Sequence, residues 1–151
     1  MTDSINGGTA AKAPISFWII SVVGMLWNAF GGYDYTMTRT RNVDYLSQMG
    51  DAQEILAWVD AFPMWAQVAY GLGVWGSVAG SLLMLARSRH AVTAFVVSLV
   101  SAVLSFASQM TSAIPPSLDT TLNQIMPWFI VAVIAALWWY AKRCAANGIL
   151  K

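Results

Sequence analysis

Four long stretches of this chain are apolar and almost free of charge. They run from Ile15 to about Tyr35, from just after Pro63 to about Ala86, from Ala91 to about Ala113, and from Pro127 to near Ala141. Crossing the hydrocarbon of a bilayer takes roughly 20 helical residues, and inside it every backbone N–H and C=O must be satisfied within the segment. Helices meet that condition locally. The composition agrees: 58% hydrophobic, 10% charged, mean hydropathy +0.58, whereas a soluble domain carries about 25% charged residues. The 151 residues suffice for one domain. The expected fold class is all-α integral membrane: four transmembrane helices, both termini cytoplasmic, and an extracytoplasmic amphipathic interfacial helix between the first and second spans.

The orientation follows from lysine and arginine in the short connections. Lys12, Arg87, Arg89, Lys142, Arg143 and Lys151 fall on one side, and only Arg39 and Arg41 on the other. Asp34, Asp44, Asp51, Glu54, Asp60 and Asp119 share the side of the two arginines. The basic side is therefore assigned to the cytoplasm. The expected organisation is a flexible cytoplasmic tail over residues 1–13, a single four-helix transmembrane domain over 14–143, and a short cytoplasmic tail over 144–151. Pro14 suits the first turn of a helix, where its missing N–H is unused anyway. The first apolar run exceeds the ~7–15 residues of a signal h-region and is followed by Gly31-Gly32-Tyr33-Asp34-Tyr35 rather than a small-residue cleavage site. It reads as a retained helix.

The 37–62 connection is long enough to hold a helix of its own. Asp51 and Glu54 have capping-box spacing, and Ile55, Trp58, Val59 and Phe62 make an apolar face opposite Gln53, Ala57 and Asp60. Such a helix either docks as a fixed element on the membrane interface or bundle, or acts as a movable lid over an outward-facing pocket.

Small residues mark the packing faces. Gly71, Gly73, Gly76 and Gly80 lie in the second span, and Gly76-x-x-x-Gly80 lets another helix approach closely. In the third span Ala94, Ser98, Ser101, Ser105, Ser108 and Ser112 follow steps of four and three, one narrow stripe suited to left-handed packing. The stripe reads as a packing seam or as a polar track. Residues 16–27 and 127–138 share a loose pattern, Ile19/Ile130, Val22/Val133, Leu26/Leu137 and Trp27/Trp138, which any two apolar spans ending in interfacial tryptophan would also show.

The densest polar constellation is at the outer end of the first span: Asn28, Asp34, Arg39, Arg41 and Asp44. Asn28 falls within the hydrocarbon, where an unpartnered amide is costly. Arg39 and Arg41 run against the positive-inside tendency and call for local compensation. Pairing with Asp34 or Asp44 would supply it; an anion or carboxylate held by the guanidinium fork, or a lipid headgroup, would do so too.

Other chemistry is poorly supplied. One histidine, His90, and one cysteine, Cys144, leave no haem-ligand pair, no disulfide and no metal cluster to build on. No phosphate-binding glycine loop is followed by Lys. No enzyme and no cofactor are expected. With net charge +1 and no basic–aromatic platform, no nucleic-acid partner is expected either. The expected partners are the bilayer and either the chain itself or another membrane protein.

The run Leu26-Trp27-Asn28-Ala29-Phe30-Gly31-Gly32-Tyr33-Asp34-Tyr35-Thr36-Met37-Thr38-Arg39-Thr40-Arg41-Asn42, with Pro63-Met64-Trp65 and Gly73-Val74-Trp75-Gly76-Ser77, resembles small four-helix inner-membrane proteins of Proteobacteria that often carry the automatic label "sugar transporter". The resemblance covers roughly the first 110 residues and implies a bacterial inner-membrane location. Half-size sugar carriers of the SWEET type differ from this chain in having three helices and a Pro-Gln pair. Two functions follow as expectations: a non-enzymatic membrane protein acting through helix association, as homo-oligomer or accessory subunit, or a small solute carrier or channel working as an oligomer.

Overall fold

The computed structural model describes residues 11–151, so the expected tail over 1–13 lies largely outside the described residues. They form six α-helices and no strand: α1 (Ile15–Arg39), α2 (Val43–Leu46), α3 (Ala52–Asp60), α4 (Met64–Leu85), α5 (His90–Met110) and α6 (Thr121–Ala146), with a 3-10 turn at Pro116–Leu118. α1, α4, α5 and α6 are long and apolar enough to cross a membrane.

Several boundaries depart from expectation. α1 continues a turn past Tyr35 to Arg39, because Thr36, Thr38 and Thr40 turn their hydroxyls back to the carbonyls of Gly32, Asp34 and Thr36 and need no outside partner. α6 starts at Thr121 rather than Pro127. Its cap is Thr120, whose hydroxyl accepts from the Asn123 amide at 3.3 Å, and Pro127 sits inside the helix. His90, one residue before the expected start of the third span, is the first residue of α5 and is exposed.

α4 packs most extensively on α5, α1 on α4, and α5 on α6. α1 and α6 meet only locally, where Leu137 lies over Gly24 and the Trp27 and Phe129 rings cross edge to face at 5.4 Å. The α4–α5 seam needs its glycines. A Cβ on Gly73 would come within 3.2 Å of the Ala102 nitrogen, one on Gly76 within 3.1 Å of the Ser98 Cβ, and one on Gly80 within 2.8 Å of the Phe95 ring. Close backbone approach is what small residues allow in a bundle that gains no hydrophobic drive from its lipid surroundings.

One end of the bundle is tied by its connections. Arg87, one residue past the α4 cap, has φ +57, and closes a Schellman turn through its own N–H to the Met84 carbonyl and the Ser88 N–H to that of Leu83. Its guanidinium donates to the carbonyls of Ala11 (2.7 Å) and Ile149 (2.9 Å). Beside it, Arg89 N–H donates to the Lys151 carbonyl, and Lys151 N–H to that of Arg87. Residues 144–151 are therefore more than a tail: the helix runs to Ala146, and Leu150 is 1% exposed, buried with Phe17, Met84, Ala91, Phe95 and Cys144. These contacts gather Lys12, Arg87, Arg89, Lys142, Arg143 and Lys151 at one end, with Arg39 and Arg41 at the other. Lys142 and Arg143 lie over the rings of Trp138 and Trp139.

At the opposite end Asp51 caps α3, accepting from the N–H groups of Gln53 and Glu54. α3 buries Ala52, Ile55 and Leu56 against Leu46 of α2, with Tyr45, Val59 and Leu118 packed around them. Its inward face is thus rotated from the expected one. Trp58 and Phe62 are half-buried and stack edge to face on each other, while Gln53, Ala57 and Asp60 are exposed as their polarity suggests.

Candidate functional site

The α1–α4 interface is a ladder of contacts whose residue numbers rise on one helix as they fall on the other. Asn28 is 4% exposed and donates from Nδ2 to the Ser81 hydroxyl (2.8 Å) and to the Ser77 carbonyl (3.2 Å). Gly32 faces Trp75 and Val78, and Tyr35 lies over Gly71 and beside Tyr70. Arg39 then bonds from Nη1 to Gln67 Oε1 at 2.9 Å. The Asn28 amide thereby finds its partner on another helix. It is placed in the packing, away from Arg39 and Arg41.

The serine stripe of α5 is buried at Ser98, Ser101, Ser105 and Ser108. Ser98 donates across the seam to the Gly73 carbonyl, and Ser105 accepts from Gln109. The hydroxyl that deepens the seam bonds to the facing helix rather than back along its own.

The expected partners of the arginines are replaced. Asp34 accepts instead from the Tyr45 hydroxyl at 2.8 Å, which docks α2 on the end of α1. Burial first, then that hydrogen bond, and then the negative charge of Asp34 push the Tyr45 hydroxyl up to about 12. Asp44 is exposed, in the first turn of α2. Arg41 pairs with Asp60, its Nη2 at 2.8 Å from Oδ1 and 3.0 Å from Oδ2, the only salt bridge among the described residues. The correction has a geometric cause. Arg41 follows α1 in the left-handed region (φ 55), inside a Schellman turn closed by Arg41 N–H to the Thr38 carbonyl and Asn42 N–H to that of Met37. The turn aims its side chain at the C-terminal end of α3.

Together these residues line a cavity of about 190 Å³ formed by Thr38, Arg39, Arg41, Leu56, Val59, Asp60 and Gln67. Of the five candidate residues read from sequence, Arg39 and Arg41 meet here; Asn28, Asp34 and Asp44 do not. Gln67 and Asp60 were not readable as members, since each arrives from a different helix. Gln67 is set in place by its Nε2, which donates to the Phe62 carbonyl at 2.9 Å and leaves Oε1 facing Arg39.

Comparison of the chain with protein-family models, with curated proteins and with solved structures gives no match.

Proposed function

We propose that this chain is a non-enzymatic integral protein of the bacterial inner membrane that works by helix association in the plane of the bilayer, as a homo-oligomer or as an accessory subunit of a membrane complex. The observation that carries the reading is the surface of α6. Only 11% of its apolar window is buried within the chain, against 39% for α5. Its exposed residues Ile125, Trp128, Phe129, Ala132, Ala136 and Trp139 recur at helical spacing, and Ala132 and Ala136 form a small-xxx-small pair near the middle of the helix. The comparable glycines of α4 are already covered by α5 in the same chain. Six basic residues at one bundle end against two at the other support cytoplasmic termini, and the likeness to small proteobacterial inner-membrane proteins supports the location.

A photoreactive side chain placed at position 136, with position 100 on the exposed face of α5 as control, tests this in intact membranes. A discrete adduct from 136 alone is expected. Equal labelling from both positions, or none from either, would dismiss α6 as the association face. The second reading is a small solute carrier working as an oligomer, which the cavity at Arg39 and Arg41 favours. Loss of uptake in Asn28→Leu and Arg41→Ala with association intact would decide for it.

A further inference from the structure

The outer cavity holds more hydrogen-bonding capacity than the chain uses. Arg39 spends Nη1 on Gln67, and Arg41 spends Nη2 on Asp60. Among the described residues, Nε and the other terminal nitrogen of each guanidinium have no partner, and both arginines line the same small space. Arg41 also occupies a left-handed position where glycine would be relaxed. An exposed ion pair is worth little by itself: the Arg41 and Asp60 side chains are 57% and 50% exposed, and such pairs contribute at most about 1 kcal/mol. The pair therefore contributes little to stability at this end.

The surroundings narrow the ligand. Two guanidinium groups ask for a bidentate oxyanion, phosphate or carboxylate. Six carboxylates share this end of the bundle with the two arginines, however, and a ligand of net negative charge meets their repulsion within a Debye length of about 8–10 Å. Only Asp60 among them lines the cavity, and each of its oxygens accepts one bond from Arg41 and has a lone pair to spare. A zwitterion resolves the conflict: its oxyanion takes the guanidinium donors and its ammonium takes Asp60. The cavity also includes Arg39, the last residue of a helix long and apolar enough to cross a membrane, and the ends of such helices meet phospholipid headgroups. We propose that the cavity binds a phosphodiester carrying a primary ammonium, that is, an ethanolamine phosphodiester, net neutral at pH 7, either as a soluble molecule or as the headgroup of a lipid. Arg39 and Arg41 hold the phosphate, Asp60 the ammonium, and Gln67 positions Arg39.

The test is a titration of the full chain in maltoside micelles with glycerophosphoethanolamine, with short-chain phosphatidylethanolamine and with inorganic phosphate, read by calorimetry and native mass spectrometry. Saturable binding of at least one ethanolamine probe is expected. It should weaken about tenfold or more in Arg39→Gln, the loss expected of one charge-assisted bond. Arg41→Gly should weaken it similarly, and glycine suits the left-handed backbone, so this variant keeps the fold. Asp60→Asn supplies a crossed signature: weaker binding of both ethanolamine phosphodiesters but unchanged or tighter inorganic phosphate. Saturation by the lipid alone identifies a headgroup site, and equal saturation by the free ester identifies a soluble ligand. Inorganic phosphate binding as tightly as either ethanolamine probe would overturn the proposal, as would wild type and Arg39→Gln binding all probes alike.

Discussion

Replacing Gly76 by alanine sets two known effects against each other. Alanine is favoured over glycine inside a helix by about 0.8–1.0 kcal/mol. Against that gain, the new methyl would lie 3.1 Å from the Ser98 Cβ, 3.2 Å from its Cα and 3.3 Å from its nitrogen. Two of these neighbours are backbone atoms of α5, which cannot rotate away, so relief requires α4 and α5 to separate. Overpacking of this kind costs about 1–3 kcal/mol. Steric cost wins, and Gly76→Ala should lose up to about 2 kcal/mol. Gly31→Ala is the control, since a Cβ there meets nothing within 4 Å and only the gain of about 0.8–1.0 kcal/mol remains. Unfolding of both variants in mixed micelles, followed by circular dichroism or steric trapping, should separate them by about 1–3 kcal/mol with opposite signs relative to wild type. If Gly76→Ala proves as stable as Gly31→Ala, the α4–α5 seam is not packed at that glycine and the reasoning fails.

Further outcomes follow from the two bundle ends. Because the Tyr45 hydroxyl is pushed above its ordinary value of 10.0, to about 12, its bond to Asp34 supports the fold fully below pH 10 and is lost as pH rises towards 12. Tyr45→Phe should flatten that alkaline decline, which a melting series against pH would show. Arg87→Gly keeps the left-handed turn but removes the bonds to Ala11 and Ile149; amide exchange at residues 147–151 should accelerate while the spans stay protected, and unchanged exchange there would count against the guanidinium clamp. With Cys144 replaced by alanine, a cysteine at Ser47 should react with an impermeant maleimide from outside intact cells and one at Asn147 should not. The reverse pattern would invert the topology.

Much of the architecture was legible because its physics is local. Spans of about 20 apolar residues announce membrane helices whatever they pack against, and the Asp51 cap is a short-range hydrogen bond. The expected α6 start was Pro127, which suits a first turn, because the residues from Thr121 to Gln124 are largely polar and lie outside the apolar run. The helix nonetheless begins among them, capped by Thr120. α2 was not expected at all, being a single turn held by the Asn42 cap and by Tyr45 on Asp34. The site was only half legible. That Asn28 needs a partner follows from its place inside an apolar span, but Ser81 is 53 positions away. That Arg39 and Arg41 need compensation follows from their standing alone at the end opposite the six other basic residues. Which acid provides it depended on the left-handed turn at Arg41, and nothing short of the fold reports that a non-glycine residue sits there.

Association through α6 is tested most directly by native mass spectrometry of the chain carried into nanodiscs straight from its own membranes. Wild type should appear as a small integer multiple of the 16.4 kDa subunit or bound to a different membrane protein, and Ala132→Leu with Ala136→Leu should release it as a folded single chain. A lone 16.4 kDa subunit in wild type, or a complex that the paired leucines leave intact, would contradict the proposed role.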